Sequence, residues 1–126
     1  MDARGALTGL HVLVIDDNAD ARAILTAVLE YCGAFVTQAA TAGDALRFLQ
    51  QATPDAVVAD MHLPDHDAAW LVREARDIRT VAPFIAVSAA DFDQEELEAQ
   101  GFAIFLRKPL DLTRLVEAVL AVVSRR

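Results

Sequence analysis

The chain has a single cysteine and no apolar run long enough to cross a membrane. Cys32 cannot form a disulfide within the chain, and its neighbours lack the spacing of metal ligands, so we expect a buried thiol. The longest apolar stretch, near the C-terminus, is interrupted by Glu117, and Met1–Arg4 lacks the apolar core of a signal peptide. These absences favour a soluble, cytoplasmic protein.

Basic residues are scarce, because 11 Lys and Arg stand against 19 Asp and Glu and give a net charge of −8. The average field therefore repels nucleic acid and anionic lipid, and we expect neither as a direct partner. Proline and glycine are also few, at four and five, and no low-complexity linker divides the sequence. A chain of 126 residues with 55% apolar content suits one folded domain.

Four short apolar runs rich in β-branched residues lack the alternation of a half-exposed strand, so they predict strands buried on both faces. These runs are Val12–Ile15, Ala56–Ala59, Phe84–Val87 and Ile104–Leu106. A fifth run, Ala34–Ala39, is interrupted by Thr37 and Gln38 and fits the edge of a sheet.

Segments with helical spacing and capping residues separate these runs. The first predicted helix begins after Asp17 or Asn18 and ends at Gly33, and the second runs from Thr41 to the break at Pro54. The third carries Trp70 to Ile78, the fourth spans about Asp93–Gln100, and the fifth is Leu112–Val123, which follows Asp111. Five alternations of strand and helix predict a parallel sheet with helices on both faces, since right-handed crossovers place successive helices there.

Polar residues follow the predicted strands at once: Asp16 and Asp17 the first, Asp60 the third, Ser88 the fourth and Lys108 the fifth. The site of such a fold lies at the carboxyl ends of its strands, so we expect these side chains to meet. Three neighbouring carboxylates raise one another's pKa unless a cation is present, and a ligand set of oxygens suits Mg²⁺. Each residue alone also has a structural explanation as a helix cap, a turn residue or a solvated charge.

Four motifs make the chain resemble the receiver domain of two-component response regulators, and they are Val12–Asn18, Ala59–Pro64, Val87–Ala89 and Phe105–Pro109. The similarity covers about Leu10–Val123, which implies a single receiver domain over residues 1–126 with a core of about 10–123. The resemblance also implies an α/β, flavodoxin-like, doubly wound sheet of five parallel strands in the order 2-1-3-4-5, with five helices.

The resemblance implies that Asp60 accepts a phosphoryl group from a histidine kinase or a phosphotransfer protein. It implies Mg²⁺ as the cofactor, with Asp17 as a direct ligand and Asp16 as a ligand through water. Asp60 and the backbone carbonyl of His62 would complete the protein's share of the coordination. The chain would then be no enzyme in the usual sense, since it would catalyse only its own phosphorylation and dephosphorylation.

The resemblance further implies that Lys108 neutralises the transferring oxygens and that Ser88 donates to a phosphoryl oxygen. Ser88 and Phe105 would form the switch. Phosphorylation would be read out by a downstream protein at the face of the fourth helix, fifth strand and fifth helix, which is also a surface for a homodimer.

Some positions depart from the family pattern. Ala68 stands where the family usually has glycine, so we expect modest backbone strain or an altered turn. His62 and Ala90 occupy positions that tune the lifetime of the aspartyl phosphate, and the His62 imidazole is either an exposed bystander or a group that orders or blocks the attacking water. The spacing from Asp60 to Ser88 is short for the family, which predicts trimmed loops or a short fourth helix.

Two other functions stay open at this point. One is a metal-dependent phosphatase with an Asp nucleophile, of the haloacid-dehalogenase kind, although that family has a second Asp where this chain has His62. The other is a constitutive protein-interaction module, which would not need all five polar residues at the strand ends.

Overall fold

The computed structural model describes residues 3–78 and 82–124, so both ends of the predicted 1–126 domain extend beyond the described part. Strands and helices alternate along the chain. The strands are β1 (His11–Ile15), β2 (Phe35–Ala39), β3 (Ala56–Asp60), β4 (Phe84–Ser88) and β5 (Phe102–Arg107). The helices are α1 (Ala19–Tyr31), α2 (Ala42–Leu49), α3 (Ala68–Asp77), α4 (Gln94–Gln100) and α5 (Leu112–Ser124).

The five strands form one parallel sheet in the order β2-β1-β3-β4-β5, which confirms the predicted order. The chain first pairs β1 with β2 and then crosses to β3 on the other side of β1, so the strand order reverses there. Ligand sites of open parallel sheets lie at the carboxyl ends of the strands beside such a reversal.

Alternate side chains of the sheet enter two apolar layers. Leu13 and Val57 lie in the layer that contains Leu49 of α2 and Leu71 of α3. The opposite layer contains apolar residues of β1, β3 and β4 together with Leu29 of α1 and residues of α5. The predicted burial of β1, β3 and β4 on both faces is therefore confirmed, and Cys32 is buried as expected.

The prediction for the last strand is partly wrong. β5 lies at the sheet edge, and its residues from Ala103 to Leu106 are half-buried rather than buried on both faces. It also begins at Phe102, two residues before the predicted start. The reason is Gly101, which ends α4 with a φ of 106° and leads directly into the strand.

Helix caps agree with the sequence at several ends. Asn18 accepts from the Ala21 N–H at 2.9 Å, Thr41 accepts from the Asp44 N–H at 3.0 Å, and Asp111 accepts from the Thr113 N–H at 2.9 Å. Two details differ from the predicted helices. α2 ends at Leu49, well before Pro54, and Ile78 is the C-cap of α3 rather than part of it. α4 has seven residues, as the short spacing predicted.

The expected strain at Ala68 is wrong. Ala68 is the first residue of α3 and is fully buried, and Asp67 before it has an extended backbone that makes the turn. The Asp67 carboxylate accepts from the Trp70 N–H at 2.8 Å, which is an ordinary N-cap. Alanine is favourable at this position, since its side chain fits the buried first turn of a helix.

Within the described residues, no helix is both long and apolar enough to span a bilayer.

Candidate functional site

Three carboxylates meet where β1 and β3 end. Each of Asp16, Asp17 and Asp60 contributes an oxygen, and these oxygens lie within 4.8 Å of one another. Asp16 is only 2% exposed, whereas Asp17 is open to solvent and Asp60 is between the two. The meeting of the predicted acidic residues is therefore confirmed, and their hard oxygen atoms are of the type that Mg²⁺ prefers.

Lys108 brings a cation to this cluster from the end of β5. Its Nζ lies 3.2 Å from Asp60 Oδ2 and 3.4 Å from Asp16 Oδ2. Partial burial opposes its charge, but the hydrogen bonds and charges of Asp60 and Asp16 outweigh that effect and raise the pKa of the ammonium group. Lys108 is therefore cationic at neutral pH, and one ammonium among three carboxylates leaves the site with excess negative charge that fits a divalent cation.

Both oxygens of Asp60 have defined partners. Oδ2 accepts from Lys108, and Oδ1 accepts from the backbone N–H of His62 at 3.0 Å. The His62 N–H belongs to the loop that follows β3, so this loop fixes the direction of the carboxylate. The His62 side chain is exposed. A carboxylate held in one orientation is prepared for attack on an incoming electrophile.

The loop after β1 is held by two hydrogen bonds. The Asn18 N–H donates to Asp16 Oδ1 at 2.9 Å, and Arg22 of α1 donates through Nη1 to the backbone oxygen of Asp16 at 2.7 Å. Arg22 also approaches Gln38 Oε1 at 3.4 Å. Sequence reasoning missed Arg22, although its place one helical turn after the Asn18 cap is a signal that it lies over this loop.

Ser88 is buried at the end of β4, and its strand partner across the sheet is Arg107. Its Oγ accepts from the Ala90 N–H at 3.1 Å, and its backbone oxygen accepts from the Lys108 N–H at 2.8 Å. The hydroxyl thus holds its own loop, and the backbone ties the ends of β4 and β5 together.

The predicted switch aromatic, Phe105, is half-buried on β5 and lies outside the acidic cluster. Its ring centroid lies 5.8 Å from that of Phe92, in an edge-to-face arrangement with an interplanar angle of 73°. Phe92 in turn lies 6.1 Å from the imidazole of His62. No sequence pattern indicated a role for Phe92, because its neighbours are polar and it lies in a loop.

Asp65 is a second residue that sequence reasoning missed. It lies in the loop after β3, and its carboxylate accepts from the N–H groups of Ala42 at 3.0 Å and Gly43 at 2.8 Å. Although burial opposes its charge, these bonds lower the pKa of the carboxyl. The contact ties the loop to the N-terminus of α2. No local pattern reveals a contact between residues so far apart in sequence.

The other two histidines lie away from the cluster. His66 stacks on Trp70 of α3, with centroids 3.7 Å apart, and Trp70 packs against the core. His11 bonds through Nε2 to Thr37 Oγ1 at 2.8 Å. His66 and His11 therefore each contact a neighbouring side chain, and the sequence did not indicate either contact.

An apolar groove of about 320 Å³ opens beside the cluster. Asp16 and Lys108 line one part of it, and apolar side chains of α1 and of the start of α5 line the rest. Ile24 and Leu112 on its lips are 57% and 40% exposed. A large apolar surface next to a charged site is typical of a place where another molecule binds.

Comparison with protein families matches residues 12–120 to the response regulator receiver domain. The chain belongs to this family. It is 31% identical to protein PilH of Pseudomonas aeruginosa over 118 residues, which cover 90% of this chain and 98% of PilH. It is 34% identical to the transcriptional regulatory protein PrrA of Mycobacterium tuberculosis, where the match covers 95% of this chain but 52% of the relative. The receiver domain thus spans about half the length of that regulator.

Solved structures agree with this assignment. The receiver domain of a sensor histidine kinase from Pseudomonas aeruginosa, described as having magnesium coordinated in its active-site cleft, superposes with a TM-score of 0.84 at 25% identity. The match covers 93% of this chain and 99% of that one. A two-component response regulator from Clostridium difficile gives a TM-score of 0.84 at 26% identity, with 92% and 97% covered.

Membership of the family settles the general function. The chain is a receiver domain of two-component response regulators, a family of phosphoacceptor signalling domains and not of classical enzymes, and neither the phosphatase nor the constitutive interaction module is supported. Receiver domains bind Mg²⁺ at an acidic cluster of the kind found here, and they interact with histidine kinases and with downstream targets.

Proposed function

We propose that Asp60 is the phosphoacceptor of this receiver domain. The observation that carries the proposal is the environment of its carboxylate, since one oxygen faces Lys108 Nζ at 3.2 Å and the other is held by the His62 N–H. One oxygen from each of Asp16, Asp17 and Asp60 lies within 4.8 Å of the others, which supports a shared divalent cation. We propose these three carboxylates, with the backbone carbonyl of His62, as the protein ligands of Mg²⁺.

The proposed reaction is transfer of a phosphoryl group from a phosphohistidine. A carboxylate oxygen of Asp60 forms the new O–P bond, and the N–P bond breaks with its electron pair going to the departing imidazole nitrogen. Lys108 neutralises charge on the transferring oxygens, and the Ser88 hydroxyl donates to one of them once the group has arrived. Bound Mg²⁺ supplies further charge neutralisation and alignment of the phosphoryl oxygens.

The same residues support self-catalysed loss of the phosphoryl group. Water attacks phosphorus, the bond to Asp60 breaks, and the carboxylate is restored while inorganic phosphate leaves. The chain then catalyses only its own phosphorylation and dephosphorylation. We propose that the position of Ser88, and with it that of Phe105, reports which of the two states is present.

The proposed partners are a histidine kinase or phosphotransfer protein and a downstream protein target. The apolar groove shares Lys108 with the acceptor site, so a donor protein that delivers its phosphohistidine to Asp60 also covers Ile24 and Leu112. For the readout we propose the face of α4, β5 and α5, where α4 carries Glu95, Glu96 and Glu98, and Arg107 at the end of β5 pairs with Asp91 at 2.6 Å. Opposite charges on one face also suit a homodimer.

We propose a single receiver domain over residues 1–126 in a cytoplasmic setting. The continuous sheet and its two apolar layers support one folding unit within the described residues.

The deciding experiment is the intact mass after incubation with acetyl phosphate and Mg²⁺. We expect a gain of one phosphoryl group that Asp60→Asn abolishes and that chelation of Mg²⁺ prevents. Asp77→Asn, the same substitution at the exposed end of α3, is the matched control and keeps the gain. Uptake that survives in Asp60→Asn would move the acceptor to another residue.

A further inference from the structure

Phe92 lies between two residues that have roles in the proposed function. Its half-buried ring projects from the loop that joins β4 to α4. One neighbour is the imidazole of His62, at 6.1 Å between centroids, and the other is the ring of Phe105, at 5.8 Å. Three rings from three separate segments therefore form a continuous row.

One end of this row is tied to the acceptor. The His62 N–H donates to Asp60 Oδ1, so the residue that carries the imidazole also orients the carboxylate. A new group on Asp60 changes the surroundings of that N–H first. Any displacement of His62 then reaches Phe92 through the contact between their rings.

The middle of the row is tied to Ser88. The Ser88 Oγ accepts from the Ala90 N–H, and Phe92 follows two residues later in the same loop. A rotation of the hydroxyl towards a phosphoryl oxygen changes or breaks this bond. The loop that carries Phe92 is then released from its present position, which gives a second mechanical route to the same ring.

We propose that Phe92 is a positioning residue that couples His62 to Phe105, so that the lifetime of the aspartyl phosphate and the readout at β5 depend on each other. The inference rests on the proposed function and adds a regulatory contact to it. The Phe92 and Phe105 rings are edge-to-face, and the His62 and Phe92 rings are tilted by 40°. An edge-to-face pair favours a limited set of relative orientations, so a change that His62 imposes on Phe92 is transmitted to Phe105. An aliphatic side chain fills similar space without this preference.

The first test needs no phosphoryl group. The chain is labelled with fluorophenylalanine, and the Phe105 resonance is assigned through Phe105→Leu. We expect His62→Ala to shift this fluorine resonance, and we expect no shift when Phe92→Leu is also present. The proposal is overturned if His62→Ala leaves the Phe105 resonance unmoved, or if the shift persists without the Phe92 ring.

Phe48→Leu is the matched control for that experiment. Phe48 is also half-buried against the core, but its ring contacts His11 rather than His62. In the Phe48→Leu background the shift caused by His62→Ala remains, which separates loss of a particular contact from loss of any aromatic ring. A shift lost in both backgrounds would also contradict the proposal.

The second test measures the half-life of the phosphorylated chain. We expect His62→Ala and Phe92→Leu each to change the half-life by about twofold or more, and in the same direction. Because the effects of contacting residues are not additive, we expect the double variant to change the half-life no further than the larger single effect. Multiplied effects would show that the two residues act independently. If Asp60 is not the acceptor, the Asp60→Asn variant still gains a phosphoryl group in the mass experiment. The fluorine experiment needs no phosphoryl group, so it tests the role of Phe92 separately.

Discussion

Lys108 contacts two of the three carboxylates of the site, and its removal separates its role in transfer from any role in metal binding. We expect Lys108→Ala to slow phosphoryl uptake from acetyl phosphate by about 100-fold, the effect typical of losing one preorganised donor to a developing charge. We expect Mg²⁺ to bind at least as tightly as before, because a competing cation is gone. Time-resolved intact mass and calorimetric Mg²⁺ titration measure the two effects.

Arg107→Ala is the control for Lys108, since it removes the preceding cation from an exposed side chain outside the cluster. It leaves uptake from acetyl phosphate unchanged. Uptake that is equally fast in Lys108→Ala would contradict the assigned role.

The raised pKa of Lys108 adds a condition on pH. Its ion pairs are complete below the ordinary lysine pKa and are lost only as pH rises through the higher folded value, so uptake does not decline near neutrality from deprotonation of Lys108.

Asp17 is the carboxylate best suited to test the metal site, because it is exposed and its removal leaves the ion pair between buried Asp16 and half-buried Lys108 intact. We expect Asp17→Asn to weaken Mg²⁺ binding by more than the roughly 10-fold typical of losing an outer-shell partner. The free energy of unfolding without metal changes by less than about 0.5 kcal/mol, as for other surface substitutions. Equal Mg²⁺ affinity in both proteins would remove Asp17 from the ligand set.

Sequence alone predicted that Asp16, Asp17, Asp60 and Lys108 meet, because each lies at or just after the end of a strand and parallel strands end at one edge. Ser88 lies at the end of β4, where its hydroxyl accepts from the Ala90 N–H. The sequence did not predict Arg22, Asp65 or Phe92. Their contacts depend on the course of loops and the direction of side chains, and neither follows from periodicity. The failed expectation at Ala68 has the same origin, since the turn before α3 is made by Asp67 rather than by the residue that replaces glycine.

At the scale of whole elements, Asp65 joins the loop after β3 to the start of α2. We expect Asp65→Ala to lower the free energy of unfolding at pH 7 by about 1 kcal/mol, the usual cost of losing a carboxylate that caps a helix. Because the folded pKa of Asp65 is lowered, this stabilisation is present above the ordinary aspartate pKa and is lost as pH falls through the lower folded value. Urea denaturation at pH 7 and in acid measures the difference.

The control for Asp65 is Asp77→Ala, which removes a carboxylate from the exposed end of α3. It should change stability little at either pH. A difference between wild type and Asp65→Ala that stays constant into acid would show that the carboxylate charge does not stabilise the loop.

The elements themselves were predictable to different degrees. β1, β3 and β4 follow from their continuous apolar runs, since a strand covered on both faces has no polar side to show. We predicted β5 to be buried on both faces, whereas it is a half-buried edge strand, because an apolar run does not reveal whether its strand has one neighbouring strand or two. The end of α2 was placed too late, because proline restricts only the residue before it and leaves a helix free to stop earlier.

At the scale of the whole molecule, the apolar core extends upstream of the family match. The match begins at residue 12 and the predicted core at about Leu10, yet Leu7 is fully buried among residues of α1, β1 and α5. Its N–H donates to the Cys32 oxygen at 2.8 Å. Nearby, a Cβ on Gly33 would lie 2.6 Å from Thr8 Oγ1, so this segment packs closely on the end of α1.

We therefore expect Leu7→Ala to lower the free energy of unfolding by about 3 kcal/mol, as other fully buried leucines do when truncated to alanine, with an unchanged m-value in urea. Leu112→Ala removes the same atoms from a side chain that is 40% exposed, and it costs less than about 1.5 kcal/mol because little apolar area leaves the core. Equal losses of unfolding free energy in the two variants would mean that the residues before β1 contribute little to the stability of the domain. A larger loss for Leu7→Ala would show that these residues belong to the folded unit that positions β1, and with it Asp16 and Asp17.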